Sequence, residues 1–376
     1  MPHFMGDFRI DNFMMRYSIF VPRFYNLCKS YGFEAGKIMP SRAFCSDENQ
    51  GFPIILITKH FGTFPFNHGQ VGGIVATDRH GPHSHHGRDM AIIQASHVGY
   101  DPMSKTFGSY RRLQMDGQIP TPTCGKICGV ASWYEQEYRF AQESISFTSL
   151  NGVKAIIIDN QLLNTERKEG VFLSLEKLRQ EEPGNMPKPL QVFSTAKAYE
   201  ANVELQERLP ADYWQEGVKT PVGDQLSADF FQFRKSITTQ LEGSDHLENN
   251  LIHSMPHIIT SPSPALAAAQ VNTQVEFDRA YRSIAKEESY HGKNLAFIAG
   301  LHIDISPNPG QIFPLTKFIP WAAYIQTQDG GQFTLEQGEL MAALGEQSTE
   351  NLDQIDLEEA IADMEQAEEV IIKTGH

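Results

Sequence analysis

The chain has 376 residues, 40% hydrophobic and 20% charged, with a formal net charge of −15, an ordinary globular composition long enough for one large domain or two modest ones. The negative charge argues against nucleic acid as the main partner, and no apolar run approaches the roughly 18–20 residues that cross a bilayer. The first twenty residues lack the basic start, apolar stretch and cleavage site of a secretory signal, so the four cysteines (Cys28, Cys45, Cys124, Cys128) suit a reducing setting, cytoplasmic or, as alternatives, an organellar lumen after transit-peptide removal or secretion as a bacterial effector, where thiolates act as ligands or nucleophiles.

In chain order, four short apolar runs predict buried strands: Ile54–Thr58 (IILIT), Met90–Ala95 (MAIIQA), Val153–Asp159 (VKAIIID) and Leu295–Ile305 (LAFIAGLHIDI). Near-continuous apolar strands suit a sheet covered on both faces. Between them, Ser132–Ser144 carries aromatics at helical spacing. Ala265–Lys286 follows SPSP, where Ser263 or its neighbour can cap and Pro264 suits a first turn. Its apolar face is Val271, Val275, Phe277, Tyr281 and Ile284. The polar stretch Gly170–Pro221 reads as surface helices and loops. From Glu346 to His376 the sequence holds ten acidic residues and one Lys, a net of −9 that leaves only −6 for the remainder. There Leu357, Ile361, Met364 and Ile371 form one stripe, which predicts an acidic amphipathic helix docked on the body or on a partner protein. The expected fold is α/β, a central mostly parallel sheet with helices on both faces. Residues 1–330 form the body and 331–376 an acidic helical extension.

Seven of the 14 histidines fall between His60 and His97, which puts the chemistry in the first third. His97 closes an apolar strand, and functional groups in open α/β sheets gather at the carboxyl ends of strands. Cys124 is followed by Gly125, which lets the backbone approach a metal or anion closely. Cys45 has Asp47 two residues on, a carboxylate beside a thiolate. Two thiolates and one imidazole form a catalytic zinc set with the fourth position left for water. Unliganded buried thiols are the competing reading of the same cysteines. A Cys124–Cys128 redox pair lacks the usual spacing, and a metal hydrolase lacks any H-E-x-x-H. The run His83-Ser84-His85-His86 is a candidate proton shuttle with His86 at its end, a solvated loop, or a second metal site.

The run His97-Val98-Gly99-Tyr100-Asp101, then Gly108, Arg112 and Cys124-Gly125, resembles the limiting-CO2-inducible protein B family, the theta-class carbonic anhydrases. Cys45-Ser46-Asp47-Glu48 is similar to that family's first-ligand motif. Ala299-Gly300-Leu301-His302-Ile303-Asp304 with Phe313-Pro314-Leu315 is similar to its closing segment. The resemblance implies a fold like that of β-class carbonic anhydrases, a homodimer, and Zn2+ held by Cys45, His97 and Cys124. The activity it implies is reversible hydration of CO2 to bicarbonate, with Asp47, Arg112 and His86 as candidate catalytic residues. One departure stands out. The β-class motif reads Cys-x-Asp-x-Arg, with the Arg holding the Asp off the metal, and here that position is Asn49. Unrestrained, Asp47 becomes a fourth ligand in place of water unless Arg42, Arg111 or Arg112 substitutes in space. The alternative reading is therefore a catalytically silent, zinc-stabilised scaffold or bicarbonate-binding protein.

Overall fold

The computed structural model describes residues 8–76, 88–112, 119–158, 197–233, 235, 241, 243–308, 311 and 315–368, and the backbone of 171–173. The first elements are β1 (Met15–Arg16), α1 (Tyr17–Ser30), β2 (Ile38–Ala43), α2 (Gly51–Phe61), β3 (Phe66–Asn67), β4 (Gly69–Gln70), β5 (Ile74–Val75) and β6 (Asp89–Asp101). Next come β7 (Thr106–Phe107), β8 (Ser109–Arg111), β9 (Pro120–Pro122), α3 (Gly125–Ser144), β10 (Ile145–Leu150), β11 (Val153–Ile158), β12 (Val171–Leu173) and β13 (Lys197–Glu200). They are followed by α4 (Val203–Arg208), β14 (Thr220–Pro221), β15 (Phe231–Phe233), α5 (Asp245–Leu251), α6 (Met255–Ile259) and α7 (Pro264–Ile284). The chain closes with β16 (Leu295–Ile305), β17 (Leu315–Gln326), β18 (Gln332–Leu335), α8 (Gln337–Gly345) and α9 (Leu357–Gln366). Two compact units result, one of residues 8–97 with 276–376 and one of residues 98–275.

The first unit is built on a sheet of order β1-β17-β16-β6-β2-β3, with β18 added beside β17. Strand β2 pairs in parallel with both β3 and β6. Strand β16 runs in the direction of β6, because Met90 N donates to Asn294 O (3.1 Å) at their starts and His97 meets Asp304 (2.8 Å) near their ends. The centre is thus parallel, as expected, while β17 is antiparallel to β16, β1 and β18. Side chains alternate across this sheet as strand geometry requires. Ala91, Ile93 and Ala95 of β6, with Ala296 and Ile298 of β16, pack among Phe20 and Phe24 of α1, Ile57 of α2 and Leu340 of α8. Met90 and Ile92, with Phe297, pack on the other face against Phe277, Ala280 and Ile284 of α7. Both faces are covered, so the strands are apolar throughout.

The second unit holds an antiparallel sheet of order β13-β11-β10-β14 and the long helix α3, which buries Ile127, Val130, Ala131 and Tyr134. The predicted strand at 153–159 is β11 of this sheet. Parts of the stretch read as surface helices and loops are instead the strands β13 and β14 that border it, and residues 174–196 lie outside the described residues.

Two further expectations are corrected. Residues 54–58 are helical, not a strand: α2 buries Pro53, Ile57, His60 and Phe61, an i, i+4, i+7, i+8 stripe. It ends at Gly62, whose φ of 72° suits a left-handed cap and whose amide donates to Thr58 O (2.9 Å). A run of five apolar residues does not separate a strand from a buried helix, and tertiary packing decided. The acidic region does not begin as a separate extension at 331, since β18 joins the sheet and α8 buries Leu340 and Leu344. Helix α9 forms where the stripe predicted, capped by Asp356, but it buries no residue. Ile361 and Met364 are 51% and 62% exposed. Ile371 lies outside the described residues.

Candidate metal centre

Register places the first candidate ligands. Ala43 pairs with Gln94 across the parallel β2–β6 ladder, so Cys45 just past β2 and His97 further along β6 emerge at the same carboxyl edge. Strand β6 does not end at His97, as the sequence suggested, but continues to Asp101. Within that continuation Gly99 N donates to Thr123 O (2.8 Å), the residue before Cys124, which caps α3. One ligand atom from each of Cys45, Asp47, His97 and Cys124 lies within 4.8 Å of the others. Cys45, His97 and Cys124 are buried at 2%, 0% and 1% exposure.

Hydrogen bonds orient the set. His97 Nδ1 faces Asp304 Oδ2 at 2.8 Å, and because a carboxylate only accepts, Nδ1 carries the proton. Nε2 then presents a lone pair toward Asp47 Oδ2, 3.4 Å away. The Gly72 amide donates to Cys45 Sγ (3.2 Å) from the turn between β4 and β5. Two sulfurs, a carboxylate oxygen and an imidazole lone pair gathered this closely repel one another unless they share a cation. Tetrahedral zinc with ligand distances of about 2.0–2.3 Å sets its donor atoms about 3.3–3.8 Å apart. The donor set could hold a metal ion and is consistent with zinc, with the Asp47 carboxylate among the four candidate donors.

Behind His97 lies a buried chain of polar groups. Asp304 Oδ2 also accepts from Gln50 Nε2 (2.9 Å), and Asp304 Oδ1 accepts from Thr316 Oγ1 (3.0 Å). Gln50 Oε1 accepts from His302 Nδ1 (2.6 Å), and His302 Nε2 accepts from the Tyr17 hydroxyl (2.9 Å). Burial, reinforced by the nearby His97, pushes the His302 pKa well below the usual value and keeps the ring neutral. Burial, with the charge of Asp304, raises that of Tyr17, which stays protonated.

The remaining candidates divide. Asn49 is 3% exposed, and its Oδ1 accepts from Gln50 Nε2 (3.2 Å). Arg111 pairs with Asp101 (3.0 Å). Burial alone would raise the Asp101 carboxyl, but hydrogen bonds from Ser104, Arg111 and the backbone hold it below its ordinary range. Arg112 donates to Thr121 and to Thr123 Oγ1 (3.3 Å) and lies over the Tyr110 ring. Arg42, whose pKa burial lowers, shares with Cys45, Asp47, Glu48, Gln50 and Asn67 the lining of a cavity of about 300 Å³. His86 and the rest of His83–His86 lie outside the described residues. Cys28 is buried in the core and Cys128 donates weakly to Gly108 O (3.6 Å), so neither joins the cluster.

Sequence reasoning missed Gln50, His302, Asp304 and Tyr17 as parts of the site. The available signal was LHIDI, where a His and an Asp two residues apart share one face of an otherwise apolar strand.

No family model and no curated protein matches the sequence. Among solved structures the chain is similar to PtLCIB4, a homolog of the limiting CO2-inducible protein LCIB, with a TM-score of 0.50 and 11% identity over 86% of this chain and 95% of that one. It is equally similar to a point mutant of PtLCIB4, with a TM-score of 0.50 and 10% identity over 86% of this chain and 93% of that one. Identities this low speak to the fold alone. In fold, the chain resembles the limiting CO2-inducible protein B homologs to which its motifs pointed.

Proposed function

We propose that the chain binds zinc through Cys45, His97 and Cys124 and catalyses reversible hydration of CO2 to bicarbonate, with Asp47 as an exchangeable fourth donor. The observation that carries this reading is the convergence of four candidate donor atoms, two sulfurs, a carboxylate oxygen and an imidazole nitrogen, within 4.8 Å of one another, which could hold a cation. The resemblance of the motifs to theta-class carbonic anhydrases, and the fold shared with an LCIB homolog, supply the reaction class. Zinc in such a ligand set supplies a Lewis acid that lowers the pKa of coordinated water toward about 7, as in carbonic anhydrases generally.

The chain's own residues do the rest. Asp304 holds the His97 proton at Nδ1, so Nε2 is the ligating atom. The Gly72 amide, which donates to Cys45 Sγ, would draw charge from a ligating thiolate and so offset part of the charge that two sulfurs would donate to a metal. Asp47, at 27% side-chain exposure the most accessible member, would be the donor that water replaces if a metal were held here, and Arg42 in the shared cavity would be the cation nearest to receive its carboxylate. Arg112 braces Thr123 next to the third ligand. His86 is the proposed route for protons to solvent. The acting species is taken as a homodimer, to be checked by light scattering.

Asp47 within the ligand set also favours a second reading, a zinc-stabilised scaffold without turnover. Elemental analysis of protein prepared without chelator should find about one zinc per chain, absent in Cys124→Ser; no zinc in the unaltered protein would sink both readings. Stopped-flow CO2 hydration across a pH range separates them. Activity above buffer with a pH profile that changes in Asp47→Ala supports the enzyme, and none above buffer with zinc fully loaded supports the scaffold.

A further inference from the structure

The geometry points to Asp304 and Gln50 as positioning residues that lock His97 in one tautomer and thereby set the metal affinity of the centre, an inference that rests on the zinc reading above.

The polarity of the chain of groups is dictated from one end. Asp304 is 0% exposed, and its carboxylate can only accept, so both neighbours of Oδ2, His97 Nδ1 and Gln50 Nε2, must donate. That fixes the orientation of the Gln50 amide, whose Oε1 therefore points at His302 Nδ1 and requires a proton there. His302 Nε2 in turn accepts from Tyr17. Four proton positions follow from a single buried negative charge, and Gln50 is the link that passes the choice from Asp304 to His302.

The far end shows what the arrangement is for. Tyr17 is 1% exposed and packs against Phe20, Phe318 and His302 in the apolar core. Among the described residues, the line has no further hydrogen-bonded group beyond Tyr17 that leads to water. The line therefore holds protons in place and does not export them. A dead-ended, fully buried network around a metal-ligating imidazole orients the ring and stops the proton from migrating to Nε2, where it would block the metal. Hydrogen bonds of this second layer are generally worth 10–100-fold in metal affinity.

The test uses Asp304→Asn and Gln50→Leu in the full chain. In zinc-free protein, long-range 15N NMR of the imidazoles should show His97 protonated at Nδ1 only. In Asp304→Asn, whose amide can turn a donor toward Nδ1, the Nε2-protonated form should appear, and competition with a chelator should show zinc bound about 10–100-fold more weakly. Gln50→Leu, which leaves the carboxylate in place, should shift the same tautomer ratio and affinity less far in the same direction. Circular dichroism of the zinc-free variants checks that the fold is retained. A merely structural role would not move the tautomer. If both variants keep the wild-type tautomer and zinc affinity, the inference is overturned. If the unaltered protein takes up no zinc, the functional reading fails, and the tautomer measurement still decides this one.

Discussion

Gly73→Ala should destabilise the protein and empty the metal centre together. Gly73 has φ +77°, a region that costs an L residue about 1–2 kcal/mol. A Cβ there would strike Ala95 O and sit 2.8 Å from Ala95 C and 3.0 Å from Ser96 Cα. These are backbone atoms of β6, held between β2 and β16, and cannot yield as a flexible side chain would. Overpacking of this kind adds about 1–3 kcal/mol. The expected loss is therefore about 2–5 kcal/mol, a large share of the roughly 5–15 kcal/mol by which domains are stable. Relief requires the β4–β5 turn to lift, which withdraws the Gly72 amide from Cys45 Sγ (3.2 Å). Urea unfolding, read as the midpoint at constant slope, measures the first effect, and zinc content after dialysis measures the second. Gly338→Ala is the control: no atom lies within 4 Å of its Cβ position and it sits in α8, so a gain of about 0.5–1 kcal/mol is expected. A Gly73→Ala protein with the unaltered midpoint and full zinc would refute the claim that this turn is pinned against β6.

Asn49→Arg restores the β-class motif beside Asp47, and CO2 hydration should rise while zinc content stays unchanged; an unchanged rate would show that Asp47 is not held by that position. Burial and the adjacent Lys59 hold His60 down to about 4, and Asn351 donates to its Nδ1 (3.3 Å). The unfolded imidazole titrates near 6.5, so the unfolded state binds more protons between the two values. His60 thus contributes stability that is complete above about pH 6.5 and is lost as pH falls toward about 4. His60→Gln should flatten urea midpoints over that window, and an unaltered pH dependence would contradict it. Phe318, 0% exposed against Tyr17, Phe20 and His302, should cost about 3–5 kcal/mol as Phe318→Ala. A midpoint shift equivalent to under 1 kcal/mol would mean that cluster is not packed as described.

The amino-acid sequence alone determined the elements whose period is strong over many residues. LAFIAGLHIDI is β16 end to end, and the aromatic stretch 132–144 lies within α3. The helix expected from 265 spans Pro264–Ile284 because its apolar face, Val271 to Ile284, repeats over about four turns. Cys45, His97 and Cys124 were legible as candidate ligands from their residue types and from motifs that resemble those of one family, and the structure brings them together. Only tertiary structure decided the short and the shared features. IILIT became helix α2 because a stripe of its residues packs into the core, and the acidic stripe of α9 stayed exposed because nothing described covers it. Asp304 and Gln50 are 254 residues apart, and Asp304 and His97 are 207 apart, so no local pattern links them. A parallel sheet sets its strand ends side by side regardless of distance along the chain, and that geometry places Asp304 against His97 and fixes which ring nitrogen carries the proton.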